Sequence, residues 1–183
     1  MENSAFVFDP ETGYGRVSDI RSGDKMMPAG VHLVASVTGP WNLVGIVDFD
    51  DLGQLPALVD AVRGRNDQGD PNTATTVRAG HSKVKRTVYD DQMAFIRIET
   101  RQTDPSVLLD GIYEAIGSEE ADLVAGDFDI LACAAAPSLD QLAAKIFAVR
   151  ALDGVKRTVS LRVIDYVSGA DDAPDDHRLP TGS

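Results

Sequence analysis

The residues best suited to chemistry fall in two short stretches, Gly126-Asp127-Phe128-Asp129 and the hydroxyl pair Thr158 and Ser160. A carboxylate such as Asp127 or Asp129 attracts an ammonium, while hydroxyls and hairpin amides can receive a carboxylate. Each feature also has a plain structural reading. Asp favours turns, hydroxyls occur in ordinary strands, and Gly126 and Gly39 suit turns that need positive φ. The remaining reactive residues are sparse. Cys133 sits among Leu131, Ala132 and Ala134 and reads as a buried structural thiol. His32, His81 and His177 are scattered without ligand spacing, so no metal is expected. Glu119-Glu120 reads as a solvated charge pair between a helix and a strand. There is no phosphate-cradling Gly loop before a helix and no nucleophile elbow. No catalytic residue is assigned, and no cofactor is expected.

The elements that must position these residues run from Ala94 to Ile164. Residues 94–99 read as a strand. Asp104-Pro105 opens a helix that Gly117 closes, with Leu108, Ile112, Ala115 and Ile116 as its apolar stripe. Two strands follow, residues 121–125 and 129–135, joined at Gly126-Asp127-Phe128. Ser138-Leu139-Asp140-Gln141 is a capping box ahead of Leu142, Ile146 and Val149. The last strand, residues 155–164, alternates Val155, Val159, Leu161 and Val163 with polar residues; Arg157 alone breaks the pattern. The order βαββαβ is the split-βαβ plan.

An earlier, less regular copy occupies the first half. Residues 37–63 shifted by 87 meet 124–150 with nine of 27 pairs identical, Leu52/Leu139 and Arg63/Arg150 among them. Trp41 and Phe128 take matching hairpin positions, as candidates to wall a pocket or to pack between subunits. Val84–Val88 recurs as Val155–Val159 at an offset of 71, which places 16 extra residues (87 − 71) in copy one. They fall within Gly64–Lys83, which reads as a long surface loop. Both matches in one order indicate duplication. The expected fold is α+β: two ferredoxin-like βαββαβ units of the dimeric α/β-barrel type. The first unit spans 1–90 and the second 91–167. An acidic, disordered tail is expected over 168–183. Residues 9–30 are weakly periodic; a short helix around 17–27 is the reading there.

Net charge is −12, from 17 basic and 29 acidic residues, which disfavours direct DNA binding. One cysteine excludes an intramolecular disulfide. The sequence has neither a signal-peptide pattern nor an apolar run of membrane-spanning length, so a soluble cytoplasmic protein is expected, without membrane contact.

The run Asp122–Ile130, the capped helix and Gly154–Ser160 resemble the effector-binding (RAM) domain of the Lrp/AsnC transcription regulators, over most of residues 30–164. The resemblance implies a non-catalytic sensor of an amino acid or related small molecule. It lacks its own helix-turn-helix and acts through oligomerisation, as a homo-oligomer or with full-length regulators. It also implies ligand contacts from Gly126, Asp127, Asp129, Thr158 and Ser160, with Gly39, Asn42 and Thr87 at the matching sites of copy one. Copy two is the better site, since Asp129 is replaced by Asn42 and Ser160 by Tyr89 in copy one. The alternative is an enzyme on the same barrel, such as a cofactor-free monooxygenase. An enzyme should show a titratable cluster inside the barrel, whereas the inward positions here read as largely Ala, Val, Leu and Ile.

Overall fold

A computed structural model describes residues 3–10, 13–23, 26–64, 74–78, 92–117 and 120–168, without the side chains of 13–15. The first half comprises β1 (Asn3–Asp9), α1 (Gly13–Arg21), β2 (Val31–Thr38), β3 (Leu43–Phe49), α2 (Leu55–Arg63) and β4 (Ala74–Arg78). The second comprises β5 (Gln92–Thr100), α3 (Leu109–Ile116), β6 (Ala121–Ala125), β7 (Ile130–Ala136), α4 (Leu139–Arg150) and β8 (Val155–Ser168). All eight strands join antiparallel in a closed barrel, in the order β1-β3-β2-β8-β5-β7-β6-β4. The architecture is therefore α+β, with the ring closed inside one chain.

Local signals explain the helices. Asp51 Oδ1 accepts from the Gly53 amide at 2.6 Å and opens a 3-10 turn, after which α2 begins at Leu55 beside Pro56. Asp104 does the same for the turn before α3, accepting from Ser106 N–H at 3.0 Å. Ser138 Oγ accepts from Gln141 N–H at 3.3 Å and starts α4. Gly64 and Gly117, at φ +70° and +71°, stop α2 and α3 in the left-handed region that favours glycine. Helix α1 starts earlier than its weak periodicity suggests. Long-range anchors hold it: Val17 is fully buried, and Arg16 donates from Nε to Val62 O (3.0 Å) and from Nη2 to Ala61 O (2.7 Å). Arg16 thereby satisfies carbonyls at the C-terminal end of α2.

Three apolar cores result. One lies between α1, α2 and the first-half strands, with Val7, Val17, Val34, Leu43 and Val62. A second lies between α3, α4 and the second-half strands, with Ile96, Ile98, Ile112, Ile130 and Val149. The third fills the barrel and draws on both halves: Phe6, Phe8, Val37, Val44, Phe95, Phe128, Leu131 and Leu161. The break at Arg157 has a simple cause. A bulge between Arg157 and Val155 turns Val155 into the outer core, while Val159, Leu161 and Val163 face inward.

Two expectations change. The stretch read as a loop contains β4, which pairs with β1 and β6. Its barrel-facing positions, Ala74, Thr76 and Arg78, give no apolar alternation to detect. Ala5 pairs with Val77 as Ala94 pairs with Arg162, an offset of 85, so copy one is longer here by two residues (87 − 85) and not by 16. Val84–Val88 lies outside the described residues, as do Thr87 and the tail from 169 onward. Strand β8 also runs beyond 164 to Ser168; a register shift near Ile164 carries Asp165–Ser168 onto β2. Among the described residues no helix is long and apolar enough to cross a membrane.

Helix α2 packs tightly on β3 at Gly45, where a Cβ would lie 2.4 Å from Val62 Cγ1. Gly45→Ala should destabilise the fold by about 1–3 kcal/mol through overpacking. In urea titrations Gly45→Ala/Val62→Ala should lose less than the two single changes combined.

Candidate functional site

The inward side of the barrel is not uniformly apolar. At the end formed by the start of β1 and the ends of β3 and β4, ionisable groups meet. Arg78 Nη2 donates to Asp122 Oδ2 at 2.9 Å, and Arg78 Nη1 donates to Ser4 Oγ at 3.3 Å. Ser4 Oγ donates to Asp48 Oδ1 at 2.6 Å, and His32 Nε2 lies 2.8 Å from Asp48 Oδ2. Arg78 also lies over the Phe6 ring, 5.7 Å from its centroid. A cavity of about 40 Å³ opens here, lined by Arg78, Glu120, Asp122 and Cys133 with Phe6, Phe95 and Leu131. Of these lining residues, Arg78 Nε and Asp122 Oδ1 are buried without a hydrogen-bond partner among the described residues.

Glu120 is buried, not solvated as the sequence reading had it. Alternation from β6 explains this: Glu120, Asp122 and Val124 share the inward face. The Cys133 thiol lies inside the barrel, and the residue keeps some surface because it borders the cavity. Burial pushes its pKa well above the ordinary value near 9, helped by the Glu120 carboxylate that accepts its hydrogen bond. A thiol held protonated is a poor nucleophile.

The opposite end is closed by the two β-hairpins. Arg97, inward from β5, places Cζ 4.3 Å from the Phe128 ring centroid, 5.1 Å from Phe8 and 5.6 Å from Trp41. Trp41 and Phe128 thus pack within the chain around one guanidinium.

The residues singled out in the sequence separate into different places. Asp129 Oδ2 accepts from Thr100 N–H at 2.7 Å, and its own amide donates to Ile98 O at 3.0 Å. Asn42 holds the matching position: its amide donates to Asp9 O at 3.0 Å, and its side chain donates to Pro10 O. Gly126 and Gly39 sit where a Cβ would come within 2.9 Å of Thr76 Oγ1 and 2.8 Å of Leu161 Cδ2, respectively. Asp127 is exposed beside Arg97. Thr158 and Ser160 pair with Ile98 and Ile96 and so share the outer, helix-covered face of the sheet. The hairpin acids and the β8 hydroxyls therefore do not converge. Missed by the sequence reading were Arg78, Arg97 and Asp122, while Glu120 was placed in solvent. Their signal was inward register within strands, legible only once the inward side is known.

No protein-family model matches the chain, and no curated protein sequence matches it. Solved structures do. One is a siroheme decarboxylase in complex with an iron-uroporphyrin III analogue: TM-score 0.56, 8% identity, covering 90% of this chain and 72% of that one. A second is a variant of the chlorite dismutase from Candidatus Nitrospira defluvii: TM-score 0.52, 12% identity, covering 93% and 92%. Another chlorite dismutase-type structure gives TM-score 0.52 at 10% identity, covering 90% and 96%. At these identities the likeness is one of fold: a chlorite dismutase-like barrel.

These neighbours overturn the Lrp/AsnC resemblance, and with it the sensor and transcription-regulation reading and the expectation of a non-catalytic protein. The physical reason lies in the motif residues. Asp129 ties a hairpin to β5, and Arg157 pairs with Glu99 across the β5–β8 ladder. Such residues serve any sheet of this order, so they do not discriminate one family from another.

A tetrapyrrole like the one held in the first of these neighbours needs a large cleft and cations for its carboxylates. The interior cavity of about 40 Å³ is far below the roughly 300 Å³ or more of sites for larger ligands. An outer cleft of about 610 Å³ lies between β3 and α2, and His32 beside Asp48 there resembles an oriented axial donor. Among the described residues its lining, however, carries Asp48 and Asp50 with no Arg or Lys to meet macrocycle carboxylates. The described residues do not fit the group.

The Arg78–Asp122 pair bridges β4 and β6, whose ladder has only two paired residues. Asp122→Ala should cost about 3 kcal/mol by leaving Arg78 without its partner. Arg78→Met/Asp122→Leu should recover much of that loss in denaturant titrations. The Cys133 thiol gives a pH signature. Its folded pKa is raised, so the folded state holds the proton longer than the unfolded state. Stability should be unaffected below the unfolded pKa and fall above about pH 9, by up to about 1.4 kcal/mol per pH unit. Cys133→Ala should remove that decline.

Proposed function

We propose that this chain is an enzyme that acts on a small molecule at the polar end of its barrel. The single observation behind this reading is the pair of orphaned groups, Arg78 Nε–H and Asp122 Oδ1, on two residues that line the same cavity as Glu120. A buried donor and a buried acceptor are costly without partners, and a bound group with one N–H or O–H and one carbonyl would satisfy both. Glu120 is the candidate for proton transfer, because its carboxylate is the remaining titratable acid on the cavity wall. Cys133, held protonated, contributes shape and a hydrogen bond to Glu120. The enzymes named among the structural neighbours support catalysis on this fold, although fold alone does not choose a reaction.

We also infer that the halves are two ferredoxin-like units, about 1–90 and 91–167, fused by duplication. The local orders β4-β1-β3-β2 and β8-β5-β7-β6 support this reading, as does the 87-residue offset, which carries β3 onto β7 end to end.

The test is conversion of a small-molecule extract by the purified protein, followed by mass spectrometry. The wild type should consume at least one component. Glu120→Gln should consume it at least about a hundredfold more slowly, the usual scale of a lost acid–base group, with its circular dichroism unchanged. Absence of any conversion, or equal conversion by Glu120→Gln, would reject the reading.

A further inference from the structure

The hairpin end carries a second site, independent of the polar cavity. Arg97 lies on β5 two residues from Phe95, with Phe128 and Phe8 buried beside it and Trp41 half-buried. Among the described residues its guanidinium makes no hydrogen bond and no ion pair, and Nε is buried without a partner. Burial holds its pKa below the usual guanidinium value, with Asp127 the largest opposing influence. The nearby acids do not complete it. Glu99 is engaged by Arg157 and by Lys156 at 3.4 Å, and Asp129 by the Thr100 amide. A half-buried cation surrounded by rings is stabilised by cation–π attraction, but its buried Nε–H still lacks an acceptor.

We infer that Arg97, with Trp41, Phe8 and Phe128, forms a binding site for a small carboxylate. Three rings crowd Cζ, so an anion reaches the group along an N–H edge. There a planar carboxylate can accept two parallel bonds. The Gly39–Asn42 and Gly126–Asp129 turns carry Trp41 and Phe128, and Gly126 and Asp127 are exposed there. The rings favour a carboxylate borne on an apolar or aromatic body. The chain's net charge of −12 works against any anion at long range, so recognition must come from these local contacts.

Trp41 is the only tryptophan in the chain, so its fluorescence reports this site directly. The probe is sodium benzoate, titrated at constant ionic strength against neutral benzamide. Benzoate should give a saturable change in Trp41 emission, and benzamide should not. Arg97→Gln should weaken benzoate by about tenfold or more, the scale of a lost charged hydrogen bond. Asp127→Asn should tighten it by about two- to fivefold by removing an exposed competing charge. Glu120→Gln, at the other end of the barrel, should leave benzoate binding unchanged whether or not the proposed catalysis holds. A non-saturating response, equal responses to benzoate and benzamide, or unchanged affinity in Arg97→Gln would overturn the site. Should Arg97→Gln fail to fold, unchanged affinity in Asp127→Asn would overturn it.

Discussion

Closure of the sheet is the constraint on which everything else depends. Among the described residues eight strands form a ring, which removes open edges except along the short β4–β6 ladder, and they define one shared interior. Neither half can bury its inner face alone. Phe8 from the first half meets Phe128 from the second edge-on, at 5.8 Å between centroids. The two seams between halves differ in strength. Strands β2 and β8 share six paired residues, and β4 and β6 only two. The Arg78–Asp122 pair stands across the weaker one.

A closed interior also forces a solution for every charge turned inward. Four solutions appear among the described residues. Arg78 pairs with Asp122, Arg97 is surrounded by aromatic rings, Glu120 accepts from a thiol, and Asp48 accepts from Ser4 beside His32. Each reduces the cost of removing a charge from water, and the first two leave N–H or carboxylate valences open. The middle of the barrel is filled by Phe6, Phe95, Leu131 and Leu161, so polar chemistry is confined to the two ends.

The sequence by itself determined the helices with strong caps, the second-half strands and the internal offset of 87. All of these follow from local rules: Asp51, Asp104 and Ser138 cap within a few residues, and period-two runs mark strands. It did not reveal β4, because Ala74, Thr76 and Arg78 carry no apolar alternation and the strand exists only through its partners β1 and β6. Nor did it assign the family correctly, since the hairpin acid and the final-strand Arg serve the sheet itself. The candidate sites were decided by tertiary structure alone. Arg97, Arg78, Glu120 and Asp122 look in sequence like ordinary charges in or beside strands, and Thr158 and Ser160 look equally available. Only closure of the ring shows which face is inside, because a strand's two faces become unequal when something covers one of them.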